Sequence, residues 1–159
     1  MDKKAYQQTL PTKRISAGCL LFDEGGRLLV VEPTYKATWE IPGGVVEANE
    51  SPRTAVLREV EEELGISLPF VRLLAVDYTG ETEKRTESLQ FIFLGPTLSE
   101  PQIAAIRLPP EELAQVLFLP TPEALSLLNK KLRRRVRHAL TVRDHPGRVL
   151  YLEAQRPAP

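Results

Sequence analysis

The chain has 159 residues, 42% apolar and 26% charged, which fits one soluble globular domain with room for a substantial core. Its 21 basic residues balance 21 acidic ones, so no global field favours nucleic acid or a membrane surface. The lone Cys19 excludes an internal disulfide and a cysteine-rich zinc site, and no apolar run approaches the length of a membrane span.

The opening MDKKAYQQTLPTKR lacks the apolar core of a signal peptide, so a cytoplasmic setting is expected. Residues 1–13 read as a flexible tail. Ile15 to Phe22 is apolar and reads as a strand, Asp23-Glu24-Gly25-Gly26 as a turn, and Arg27 to Glu32 as a second strand; together they predict a β-hairpin. A short strand at Trp39 to Ile41 leads into Pro42-Gly43-Gly44, where paired glycines permit a phosphate or metal to approach the main chain closely.

Helix boundaries follow. Ser51 suits an N-cap, Pro52 the first helical position and Gly65 the left-handed position past the end. Between them Val56, Leu57, Val60 and Leu64 form an apolar stripe able to bury against a sheet. Val71 to Tyr78 and Leu89 to Leu94 read as strands joined by the polar stretch Gly80 to Ser88.

Farther on, Ile103 to Leu108 reads as a weaker strand and Pro109-Pro110-Glu111-Glu112-Leu113 as the start of a short helix. Thr121 to about Val142 reads as one amphipathic helix, with Leu125, Leu128, Leu132, Val136 and Leu140 at helical spacing. Val149 to Leu152 predicts a final strand, and 154–159 a second flexible tail. Elements in this order predict a single α/β domain, a sandwich with a mixed sheet between helices.

Chemistry concentrates between Gly44 and Ile66, which reads GVVEANESPRTAVLREVEEELGI. Glu59, Glu62 and Glu63 stand at i, i+3 and i+4, so a helix presents all three carboxylates on one face. Like charges at that spacing cost roughly 0.2–0.5 kcal/mol per pair, which calls for a cation against them. Hard divalent ions such as Mg2+ prefer oxygen ligands and commonly bind through carboxylates and substrate phosphates.

This segment is similar to the Nudix box, Gly-x5-Glu-x7-Arg-Glu-apolar-x-Glu-Glu-x-Gly-apolar, and fills every specified position: Gly44, Glu50, Arg58, Glu59, Val60, Glu62, Glu63, Gly65 and Ile66. Trp39-Glu40-Ile41-Pro42-Gly43 resembles the family's usual approach to the box. The resemblance to Nudix hydrolases implies the Nudix α/β/α sandwich. It also implies hydrolysis of a phosphoanhydride in a nucleoside diphosphate linked to another moiety X. Glu59, Glu62 and Glu63, with the Gly43 carbonyl, would then ligate Mg2+ or Mn2+. Arg58 would orient a catalytic glutamate, Glu59 or Glu62, although it also suits a surface pair with Glu62. By the same resemblance Glu50 has a site role, as metal contact or loop brace, beside the supporting Gly44 and Gly65. The general base is Glu59 in some relatives and a loop glutamate in others, which leaves Glu81, Glu83, Glu87 and Glu100 as candidates.

Substrate choice stays open among a nucleoside triphosphate, a sugar nucleotide and a dinucleotide. The Ser-Gln-Pro-Trp extension of NADH pyrophosphatases is absent, as is the coenzyme A signature. A different class of function is a nucleotide-binding sensor without turnover; such regulators often lose box carboxylates, and this chain keeps them. Homodimerisation is compatible with the family.

Outside the box the readings are plainer. Trp39 and Tyr78 suit either stacking on a nucleobase or packing at the rim of the core, and Glu40 either a substrate contact or solvent. The run Lys130-Lys131-Leu132-Arg133-Arg134-Arg135-Val136-Arg137-His138 keeps core spacing and lacks aromatics, so a solvated helix face is expected and no nucleic-acid polymer. His138 and His145 have no partner motif, and Cys19 reads as a small buried residue.

Overall fold

A computed structural model describes residues 1–159. A short helix α1 (Lys3–Gln7), capped by the Asp2 carboxylate, precedes β1 (Arg14–Leu20), β2 (Leu28–Pro33) and β3 (Gly43–Val45). Then come α2 (Pro52–Leu64), β4 (Arg72–Thr79), β5 (Ser88–Leu94), α3 (Glu100–Ala104) and β6 (Leu113–Leu119). The chain continues through α4 (Thr121–Leu127), α5 (Lys130–Leu140), β7 (Leu150–Glu153) and β8 (Arg156–Pro157). No helix is long and apolar enough to cross a membrane.

Six strands form a mixed sheet in the order β3-β1-β5-β4-β7-β8, parallel at β1/β5 and β4/β7 and antiparallel elsewhere. Because side chains alternate along a strand, each face carries its own core. Ala17, Cys19, Leu21 and Phe93 pack with Val56, Val60 and Leu64 of α2. On the opposite face Leu20, Ala75, Ile92 and Leu152 meet Ala124 and Leu125 of α4 and Val136 and Ala139 of α5. The result is helix, sheet, helix, as the sequence order predicts.

The β1–β2 hairpin is only half right. Its turn closes as expected, with Gly26 at φ 76° and the Asp23 carboxylate accepting from the Arg27 N–H (2.9 Å) and Nε (2.7 Å). Pairing stops at one Phe22–Leu28 bridge, and β2 instead joins β6 in a separate antiparallel ribbon. The reason is composition. Leu28 and Val30 enter one core while Leu29 and Val31 enter the other, so β2 needs apolar neighbours on both faces. The predicted strand at Trp39–Ile41 is reduced to single bridges from Trp39 and Glu40.

Three predictions in the C-terminal half fail for local reasons. The Ile103–Leu108 strand is instead α3 followed by an irregular stretch. Ser99 and Gln102 form a reciprocal capping box and Pro101 sits in the first turn, all helix-starting signals. The helix expected at Pro109–Leu113 is one turn, with the Glu112 and Leu113 N–H groups both donating to the Pro109 carbonyl (3.0 and 2.9 Å), before β6 begins.

The single long helix is two. Leu128 is extended at ψ 151°, and the Asn129 side chain caps α5 by accepting from the Leu132 N–H (3.0 Å). Arg133 reaches back to the α4 end carbonyls of Leu125, Ser126 and Leu128 at 2.9–3.1 Å, replacing the helical bonds lost at the break. The tail expected from 154 onward also takes structure: β8 pairs with β7, and Gln155 is buried.

The α2 boundaries match in full. Ser51 accepts from the Thr54 N–H (3.0 Å), Pro52 opens the helix and Gly65 ends it at φ 69°. Val60 is fully buried at the centre of the α2 interface. Truncating it leaves a cavity, so Val60→Ala should lower folding stability by about 1 kcal/mol or more. In urea denaturation the midpoint should fall while the slope stays unchanged. An unchanged midpoint would mean that this contact is dispensable.

Candidate functional site

The box carboxylates are held where α2 crosses β3. Gly43 adopts φ 151°, and a Cβ there would collide with the Ala17 carbonyl of β1. A Cβ on Gly44 would collide with the Glu59 carboxylate, so this position must lack a side chain for Glu59 to lie against the β3 backbone. Glu63, one turn further along α2, accepts from the Gly43 N–H at 3.3 Å. Gly65 performs the other supporting role, ending the helix.

Arg58 ties the loop to the helix. Its Nε and Nη2 grip the two Glu50 oxygens at 2.7 and 2.9 Å, a bidentate fork. Nη2 also donates to the Val45 carbonyl (3.2 Å), while Nη1 donates to Glu59 (3.0 Å) and Glu62 (3.1 Å). Held by this fork and by the Glu47 N–H, the Glu50 carboxyl is lowered to about 2, so it stays ionised. Arg58 is held still more firmly in its charged form, by Glu50 first and Glu59 next.

Glu59 and Glu63 both shift the opposite way from Glu50. Burial pushes Glu59 above the usual carboxylate range even though Arg58 opposes the shift. Glu63 is pushed up to about 8, by burial first and then by the Glu59 charge, with the Gly43 N–H opposing. Arg58 thus compensates Glu50, Glu59 and Glu62 but makes no contact with Glu63. The three box glutamates are not gathered into one cage: two turn to Arg58 and one to Gly43.

A cleft of about 300 Å³ opens on the other side of β3. Gly43, Gly44 and Glu40 form its lip, β1 and β5 its floor, and the 79–88 loop and α5 its remaining walls. Glu40 therefore lies at the cleft, paired with Lys36 at 2.6 Å. Trp39 does not line it. This residue packs against the α4–α5 core, its N–H donating to the Leu127 carbonyl (3.2 Å). Tyr78 also lies away from the cleft wall and donates its hydroxyl to Glu87 (2.7 Å).

Among the loop glutamates, Glu87 is engaged by Lys13 (2.7 Å) and Tyr78, Glu81 and Glu83 are exposed, and Glu100 opens α3. Glu112, just before β6, adds a like charge that raises both Glu59 and Glu63, and Glu40 does the same to Glu63. Sequence reading passed over Glu112 as part of a helix start. Arg135 was likewise read as one of a solvated basic run, yet it is buried and bonded through Nε to Asp77 (2.7 Å).

The unfolded Glu63 titrates near its ordinary value of 4.5, the folded one near 8, so below 4.5 both states are protonated and nothing is lost. As pH rises from there through 8, holding the proton in the folded state costs stability, and the loss is complete above 8. In EDTA, Glu63→Gln should therefore melt higher than the parent at pH 8.5, by an equivalent on the order of 1 kcal/mol or more. The gain should shrink toward pH 5. Thermal melts at the two pH values check this, and an equal gain at both would refute the burial of a costly charge.

A family model described as NUDIX domain matches residues 12–143. A MutT-like protein of Streptomyces ambofaciens is 42% identical over 66 residues, which are 42% of this chain and 43% of the relative. An RNA pyrophosphohydrolase of Hydrogenovibrio crunogenus is 36% identical over 61 residues, 38% of this chain and 37% of the relative. The chain thus spans less than half the length of these curated relatives. The crystal structure of a MutT NUDIX hydrolase from Burkholderia pseudomallei superposes with a TM-score of 0.63 at 27% identity, covering 82% of this chain and 98% of that one. With an unbroken box at the β3–α2 junction, the chain belongs to the NUDIX domain family.

Proposed function

We propose that this protein is a Mg2+-dependent hydrolase of a phosphoanhydride in a nucleoside diphosphate linked to a further group. The observation that carries the proposal is the pair Glu59 and Glu63, half-buried beside β3, with Arg58 bonded to Glu59 and no cation bonded to Glu63. Their donor set is oxygen only, which fits a hard divalent cation. Glu59, Glu62 and Glu63 would hold Mg2+ or Mn2+, with the Gly43 carbonyl as a further donor. When bound, such an ion supplies positive charge against the phosphoryl oxygens and acidifies water.

The chain's own residues do the rest. Arg58 positions Glu59 and neutralises Glu62 and Glu50, so removing it would loosen the 45–50 loop from α2 together with the carboxylates. Gly43 lets β3 pack against the Ala17 carbonyl of β1, and Gly44 lets the Glu59 carboxylate lie against the β3 backbone. In the reaction a water oxygen bonds to phosphorus, the bridging P–O bond breaks, and a carboxylate takes the water proton. Glu112 is our candidate for that base: it is exposed, it makes no ion pair within the chain, and its charge reaches both Glu59 and Glu63. Full retention of the box carboxylates speaks against a sensor without turnover. A fully buried thiol at Cys19, pushed up to about 12 by burial, fits the reducing cytoplasm we assign to the protein.

Turnover of any accepted nucleotide should vanish in EDTA and return with Mg2+ or Mn2+. Glu62→Gln and Glu63→Gln should each lower kcat by about a hundredfold or more, the scale of several kcal/mol of lost charge stabilisation. Hydrolysis that persists in rigorously metal-free buffer would defeat the proposal. For the base, Glu112→Gln should cut kcat while KM and Mn2+ affinity stay near the parent values. If Mn2+ affinity falls in step with kcat, Glu112 is a ligand and the base lies elsewhere.

A further inference from the structure

The cleft beside β3 has an unusual charge balance for a chain of zero net charge. Five cationic side chains line it, Arg14, Lys36, Arg85, Lys131 and Arg135, against the single carboxylate Glu40, which Lys36 already holds. Only one aromatic ring, Phe91, is present to stack on a base. An uncharged nucleoside seated here would leave most of these cations uncompensated.

Arg135 is the best built of the five. It is only 9% exposed, and its Nε donates to Asp77 at 2.7 Å. Asp77 is fully buried, and its other oxygen accepts from the Gln155 N–H at 3.0 Å, so the carboxylate is fixed at both ends. The two Nη groups of Arg135 find no partner within the chain, although the residue lines the cleft. A guanidinium held by one edge presents a rigid pair of donors, the geometry that takes a phosphate oxyanion bidentately. Nearby, the Thr79 hydroxyl is also buried and unpartnered on the cleft wall. It offers a further donor to the same anion.

We propose that this cleft is a second phosphate subsite, so that the preferred substrates are small molecules carrying a phosphate monoester of their own, apart from the anhydride that is cleaved. Arg135 and Thr79 bind that phosphate, and Arg14, Arg85 and Lys131 neutralise it. This inference rests on the hydrolase reading for where cleavage occurs, but not for the anion site itself.

The test uses matched pairs differing by one phosphate monoester, NADPH against NADH and coenzyme A against its dephospho form, assayed with Mg2+. The phosphorylated member should be favoured in kcat/KM by about tenfold or more at low salt, and less at high salt, as charge pairing requires. Arg135→Gln should bring the ratio near one. Because that change strands the buried Asp77 and risks misfolding, Arg85→Gln/Lys131→Gln on the open rim provides a second variant expected to reduce the ratio. Independently of turnover, inorganic pyrophosphate added to the protein in EDTA should shift NMR signals of Thr79, Arg85 and Arg135 rather than those of 58–63. Equal hydrolysis of both members, unchanged by the variants, overturns the subsite and leaves the hydrolase standing. If nothing is hydrolysed, the hydrolase reading fails, and the pyrophosphate shifts alone support or overturn the anion site. Tight binding of a 5′-triphosphorylated oligoribonucleotide with a steep salt slope, without a preference within the pairs, would overturn the proposal in favour of a polymer.

Discussion

One guanidinium organises the acidic half of this site. Arg58 touches Glu50, Glu59, Glu62 and the Val45 carbonyl, joining the loop after β3 to two turns of α2. Without it, those carboxylates would repel one another across the helix surface, and the loop would lose its strongest tie to α2. The apolar stripe beneath is what lets the helix tolerate such a face. Val56, Val60 and Leu64 anchor α2 on the sheet, while the charged side meets β3 and its following loop through polar contacts. Stability and chemistry are thus assigned to opposite sides of one helix.

The sheet divides charge in the same way. On one side of β3 lie the box carboxylates, and on the other a cleft rimmed by cations. Gly43 and Gly44 are the thin wall between them, thin because neither position has room for a side chain. Opposite fields separated by one backbone strand give a substrate two kinds of anchor and a defined direction. Overall neutrality conceals this arrangement, since the two halves cancel in the total.

Much of the site was legible because its information is local. Ser51, Pro52, Gly65 and the glutamate spacing lie within a few helical turns, where capping preference and periodicity act directly. The strands β1, β4, β5 and β7 were also readable as short apolar runs. What escaped was settled by contacts between distant segments. The choice of β2 to pair with β6 depends on two cores that no window of sequence displays. The α4–α5 break hinges on Asn129, a good cap inside an otherwise unbroken amphipathic pattern, with Arg133 repairing the ends. Ile103 and Ile106 suggested a strand by residue type, whereas the Ser99–Gln102 box starts a short helix that takes in Ile103. The cleft cations come from β1, two loops and α5, and Arg135 looks like its exposed neighbours until Asp77 is brought opposite.

Asp77 also links the cleft to the far end of the chain. One of its oxygens is held by Arg135 and the other by the backbone of Gln155, within the turn between β7 and β8. The orientation of a cleft arginine therefore depends on a strand pair of very few residues at the edge of the sheet. Clipping after Glu153, or fusing a bulky partner so that β8 peels away, would free one end of Asp77 while leaving the box helix untouched. Preparations differing only in their C-terminal processing or affinity handle could then share fold and metal response yet diverge in which molecules they accept.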